Sequence, residues 1–470
     1  MSEDDIMSNQ VNVQKKEGYK LYGMPWYYFA VFSVVVLLSA MMGVLPAGMA
    51  GCFAFMIVFG TIFQEIGDRL PIVRSYLGGG AIVIIFGMGF LRYENFFGLF
   101  DLLSKPNADG VLYTATLMKN IESFFKPSGA FLDFYIAALI TGSILGMNRK
   151  LLMKAAARYF PAIFGGIIAA FGLASLGGAA FGFGAVKALL LIALPIMGGG
   201  MGAGAVPLSK IFESTGTMTA EEAISIMNPA VAIGNATSIV LASIIVKLIV
   251  SKKWNGQGAL MVSKANDASE MEVGPEMQAK RDKISVVNMG IGLLTSTSFF
   301  AFGHIISTLW SKLVPSVSIH AYAWMIIAVA VCKIFNLLPE FIEISCYQWF
   351  QFIMKNLTAA LLVGIGLCYL SLDVVIETFS LSYLLLCLLT CLGAVIGAGL
   401  IGKLVGFYPV ESCITAGLCM ANMGGTGDVA VLSAADRMEL MPFAQISSRL
   451  GGAIILIIGS LMLSLLGGML

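Results

Sequence analysis

Apolar runs of about 20 residues, parted by short polar breaks, recur from residue 25 to the end of the chain. A helix needs roughly 20 apolar residues to cross the ~30 Å hydrocarbon core of a bilayer. The runs that predict spans are 25–44, 47–66, 77–91, 130–147, 158–178 and 223–250. After a long polar stretch come 284–310, 319–338, 347–372, 381–404 and 444–470. Two more apolar regions, 186–211 and 413–438, are broken in the middle by glycine turns, GGGMGAG at 198–204 and GGTG at 424–427. Aligned, GGMGAGAV (199–206) and GGTGDVAV (424–431) share GG-x-G and a following AV. Such a break predicts a re-entrant hairpin, a chain that enters and leaves the membrane on one side.

The charge pattern requires the same thing. Lys and Arg accumulate in cytoplasmic loops. Placing the tail with Lys15, Lys16 and Lys20 inside also places Arg69 and Arg74 inside. The cluster Arg149, Lys150, Lys154, Arg158 follows on the same side, and Lys252, Lys253, Lys280, Arg281, Lys283 joins it only if 186–211 does not cross; the second glycine-turn region is read in the same way. About eleven spans result, with the N-terminus cytoplasmic and the C-terminus outside. The expected divisions are a cytoplasmic tail (1–23), an extra first helix (24–45), a first repeat (46–250) and a cytoplasmic linker (251–283). A second repeat (284–470) completes the chain. Each repeat has five spans with a hairpin before the fifth, and an odd number inverts one repeat relative to the other. Inverted repeats are the architecture of many secondary transporters, with the site at mid-membrane.

Composition adds the class. Of 470 residues 58% are hydrophobic and 12% charged, with mean hydropathy +0.89. Soluble domains carry about a quarter charged residues, so the chain is an all-α membrane protein whose surroundings are lipids. The net charge of +1 gives no footing for nucleic acid. Eight cysteines form no CxxC pair, and two histidines build no zinc spacing. The tail is too long and acidic for a cleaved signal. Paired catalytic carboxylates are missing from the spans, so an enzyme is not expected, nor an organic cofactor. GAGLIGK at 397–403 has the spacing of a phosphate-binding loop, but Leu404 replaces the needed Ser or Thr and the run lies in a span. Transport must then run on ion gradients.

The chemistry gathers in 421–449. Glycine turns let backbone N–H groups approach a ligand, and half-helix N-termini favour an anion. The bland alternative is that the glycines serve close helix packing. Arg449, an arginine inside a span, is a functional candidate by default, and its fork suits a carboxylate. Its alternative role is to pair with Asp428 or Asp436. Asp428 could bind a cation, orient Arg449, or both. Asn422, Thr426, Ser447 and Ser448 share the window, and Asn235, Thr237 and Ser238 are their counterparts after the first hairpin. Their oxygens suit a hard cation such as sodium.

GGGMGAGAVPLS (198–209), CMANMGGTGDVAVLSAADRM (419–438) and QISSRLGG (445–452) resemble the bacterial 2-hydroxycarboxylate transporter family, over nearly the whole chain. Its members include sodium–citrate symporters, malate carriers and exchangers against lactate. The resemblance implies a homodimer in which each protomer has a scaffold domain and a transport domain that moves elevator-fashion. It places Arg449, Thr426 and Gly202 at substrate-contacting positions, with Gly425, Met201 and Met423 beside them. It places Cys419, Met420, Asn422 and Ser448 around a co-transported sodium ion, largely through backbone oxygens, with Asp428 adjoining. Met423 stands where citrate carriers have arginine, and Met201 where they have asparagine. Fewer polar groups favour a smaller acid, most simply malate. The expected activity is cation-coupled malate symport in the bacterial inner membrane. The alternatives are citrate/sodium symport, proton-coupled malate symport and malate/lactate exchange.

Overall fold

Inside a bilayer every backbone N–H and C=O must be satisfied within the protein, which for apolar runs of this length means helix. A computed structural model describes residues 19–73, 79–102, 110, 112–125, 130–146, 149–261, 283–314, 319–368, 370–424, 426–437 and 440–470, with the side chains of 150–158, 203, 426, 433 and 442 outside that description. Strands β1 (Lys20–Leu21) and β2 (Met24–Pro25) pair antiparallel. They lead into α1 (Trp26–Met41), α2 (Met49–Arg69), α3 (Gly80–Tyr93), α4 (Tyr113–Phe125), α5 (Phe131–Leu145) and α6 (Arg149–Ala180). A broken pair follows, α7 (Ala185–Ile196) and α8 (Val206–Ser214), and then α9 (Ala220–Leu248). The second half runs α10 (Val286–Leu313), α11 (Ala321–Ile334), α12 (Glu340–Cys368), α13 (Leu372–Thr378) and α14 (Leu381–Leu404). Its own broken pair is α15 (Pro409–Ser412, continued by Cys413–Leu418) and α16 (Thr426–Ala434). The last helix, α17, comprises Met441–Ile446, Ser447–Gly451 and Gly452–Leu466.

Among the described residues, seven helices are long and apolar enough to cross a membrane, or eight if α3 and the bent turn Phe96–Leu102 count as one. Four of the eleven expected spans, α1, α3, α5 and α11, have only 14 to 16 residues. At 1.5 Å per residue they measure about 21–24 Å, short of the hydrocarbon core. Helix α4 was not expected. It has no long apolar run, but Leu117, Ile121, Phe124 and Phe125 are buried on one face while Lys119 and Glu122 stay exposed.

The stretch 251–283 is a linker only in part. Its first residues fold back on α15: Tyr408 N–H donates to the Leu260 carbonyl at 2.9 Å and Val410 N–H to the Trp254 carbonyl at 3.0 Å. Glu411, fully buried, accepts from Gly256 N–H (2.8 Å) and Gly258 N–H (3.3 Å), and Arg437 Nε lies 3.5 Å from its carboxylate. Polar composition reads as a linker, whereas these bonds join residues about 150 apart. Residues 262–282 lie outside the described residues, as do 1–18 of the tail.

The helices fall into two groups. α2 to α5 pack with α10, α11 and α12. α6 and α14 lie along one another and carry α7 to α9 and α15 to α17. Gly397 sits at the α6–α14 contact, where an added Cβ would lie 2.0 Å from the Gly165 carbonyl oxygen. That glycine run is helix packing of the small-residue kind, not a phosphate loop.

Candidate functional site

Both broken pairs turn on glycine. Gly199 and Gly200 have φ of +78° and +111°, and Gly424 has +62°, a region L-residues with a Cβ avoid. The two turns touch each other. A Cβ on Gly200 would lie 2.6 Å from the Met423 carbonyl oxygen, and one on Gly199 would lie 2.5 Å from that of Ser448. Widened helical turns with i→i+5 bonds flank this junction at Leu189–Ala193, Met201–Ala205, Cys413–Leu418 and Ser447–Gly451. Such turns redirect carbonyls and side chains and gather at functional sites. Gly202 faces open space, with no atom within 4 Å of an added Cβ.

A polar frame holds the second turn. Asp428 is fully buried; its two oxygens accept from Asn422 Nδ2 (3.0 Å) and Ser448 Oγ (2.8 Å). Burying a carboxylate without such partners is expensive. Asn422 Oδ1 in turn accepts from Gly424 N–H at 2.6 Å, and Asn235 Oδ1 on α9 accepts from Met423 N–H at 3.1 Å. Ser238 Oγ donates to the Ala421 carbonyl at 3.1 Å. Tyr159 on α6 braces α17 through Ser447 Oγ (2.8 Å) and the Phe443 carbonyl (3.1 Å). Ala421, Asn422, Met423, Gly424, Asp428, Asn235, Ser238 and Ser448 therefore form one connected network.

Arg449 stands beside it on the widened turn of α17. Its guanidinium lies over the Phe350 ring, 6.0 Å from the centroid, a cation–π distance. It lines a cavity with Leu139, Ile140, Ser143, Ile144, Gly452, Ala453 and Leu456. The alternative in which Arg449 pairs with an aspartate is not what the structure holds. Asp428 is engaged by Asn422 and Ser448, Asp436 is exposed, and Arg449 makes no ion pair among the described residues.

The structure thus brings Asn422, Met423, Asp428, Ser448, Arg449, Met201 and Gly202 to one junction. Met201 is buried and Met423 half-buried, both packed in the apolar core. Cys419 and Met420 are fully buried. Gly425 and the Thr426 side chain lie outside the described residues. Sequence reasoning missed Phe350 and the α5 residues, which sit in ordinary apolar runs and carry no motif.

Residues 21–461 match the model of the 2-hydroxycarboxylate transporter family. The chain is 37% identical to the citrate/sodium symporter of Salmonella typhimurium, over 97% of this chain and 99% of that protein. It is 37% identical to the citrate/sodium symporter of Klebsiella pneumoniae, over 96% of each chain. It is also 34% identical to the malate transporter MleP of Lactococcus lactis, over 96% of this chain and 99% of the other. With long apolar helices, two glycine turns in contact and a match over nearly its whole length, the chain belongs to the 2-hydroxycarboxylate transporter family and is an integral membrane transporter, not an enzyme.

Proposed function

We propose that the protein is a secondary carrier of the bacterial plasma membrane that moves malate together with a sodium ion. The observation that carries this is the contact of the two glycine turns beside an arginine that has no ion-pair partner among the described residues. Arg449 would take one carboxylate in its fork, and N–H groups of the turns, with Thr426 and Gly425, the other. Sodium would sit among backbone oxygens of Cys419, Met420, Asn422 and Ser448, with Asp428 behind them supplying negative charge. Relatives named as a citrate/sodium symporter and a malate transporter support both cargoes.

The carrier would work as a homodimer by an elevator motion. α6 to α9 and α14 to α17 would move against α2 to α5 and α10 to α12, the N-terminus inside and the C-terminus outside. The placement of each broken pair after a long helix of the packed α6–α14 couple and before the last helix of its half supports two inverted repeats.

Citrate is the second assignment, favoured by the citrate/sodium symporters at 37% identity. Met201 and Met423 weigh against it, because neither offers a donor to a third carboxylate. In competition against labelled malate uptake, unlabelled malate should inhibit the wild type at lower concentration than citrate. Met423→Arg with Met201→Asn should shift the preference toward citrate. A wild type inhibited more strongly by citrate overturns the malate assignment.

A further inference from the structure

The cavity beside Arg449 has walls from two parts of the chain. One is α17, with Arg449, Gly452, Ala453 and Leu456; the other is α5, with Leu139, Ile140, Ser143 and Ile144. α5 belongs to the helix group that does not carry the glycine turns, yet it touches both Met201–Ala205 and Ser447–Gly451. It is pressed against α12 at Gly142, where a Cβ would lie 2.1 Å from Phe350 Cβ. That close approach brings the Phe350 ring to the guanidinium of Arg449. Across the cavity Arg449 therefore has α5 opposite it, with the Phe350 ring beside its guanidinium.

The chemistry of that face is uneven. Leu139, Ile140, Ile144 and the Phe350 ring offer no donor, and an aromatic face carries partial negative charge. The polar side chain that α5 contributes is Ser143, which is buried. Its hydroxyl donates to the Ile140 carbonyl at 3.2 Å. With the proton committed there, the oxygen meets the cavity as an acceptor. An acceptor suits a hydroxyl on the substrate and repels a carboxylate, whose desolvation the apolar wall leaves uncompensated.

We propose that Ser143 reads the hydroxyl of the 2-hydroxy acid, while Leu139, Ile140, Ile144 and Phe350 turn away a further carboxylate. The assignment rests on the proposal that Arg449 holds a substrate carboxylate. The test uses the full chain in proteoliposomes and compares malate with succinate, the same diacid without the hydroxyl, as inhibitors of labelled malate uptake. The wild type should prefer malate. In Ser143→Ala the malate concentration for half-inhibition should rise about tenfold, the scale of one lost hydrogen bond, while that for succinate stays the same. An unchanged malate-to-succinate ratio, or equal weakening of both acids, overturns the role of Ser143. If the wild type carries citrate instead, the malate assignment and the exclusion of a further carboxylate both fail, and the role of Ser143 is tested by the same comparison between citrate and tricarballylate, its analogue without the hydroxyl. Loss of that preference in Ser143→Ala supports the role, and its retention overturns it.

Discussion

In the proposed site, recognition turns on Arg449. A lysine keeps the charge but loses the planar fork that grips a carboxylate at two points. Arg449→Lys should weaken malate binding by about 1.5–3 kcal/mol, roughly ten- to hundredfold. Folding should be spared, because the guanidinium forms no ion pair among the described residues and its ring contact with Phe350 survives in part. Calorimetric titration of the purified variant with malate measures the loss, and wild-type affinity would refute the role. Arg449 and Asp428 were legible in the sequence because a charge inside an apolar run is costly and stands out. Their partners were not. Asp428 is satisfied by Asn422 and Ser448 rather than by the arginine, and Phe350 in an apolar run looks like any core aromatic. Asn228 on α9 is fully buried with neither amide atom partnered among the described residues, which sequence alone could not show.

At the scale of elements, the second turn is held by Asn422 more than by Ser448. Asn422 bridges Asp428 and the Gly424 N–H, so Asn422→Ala removes two bonds at the turn; Ser448→Ala removes one. Asn422→Ala should therefore raise the sodium concentration for half-maximal uptake several-fold, with Ser448→Ala the milder of the two. Sodium titrations of uptake in both variants measure this, and an unchanged requirement in each places the cation elsewhere or makes the proton the coupling ion. The broken pairs α7–α8 and α15–α16 were legible because glycines interrupt apolar runs too short on either side to span. α4 was hidden, since an amphipathic helix of 13 residues gives no long hydrophobic window. The fold-back of 251–261 onto Glu411 and Tyr408 depends on contacts distant in sequence, which local composition does not report.

For the whole molecule, the Lys and Arg asymmetry predicts an orientation that the helices by themselves leave open. Lys252, exposed at the end of α9, should face the cytoplasm. A single cysteine at that position, on a background free of the eight native cysteines, should react only with a reagent that reaches the cytoplasmic side. Labelling from the periplasm alone would invert the topology and remove the case for non-crossing turns. The central claim, sodium-coupled carriage of malate, is tested most directly by uptake of labelled malate into proteoliposomes with an inward sodium gradient, against the same vesicles with potassium in place of sodium. Accumulation above the external concentration is expected with sodium and only equilibration without it. Equal accumulation in both, or none in either, contradicts sodium-coupled malate transport.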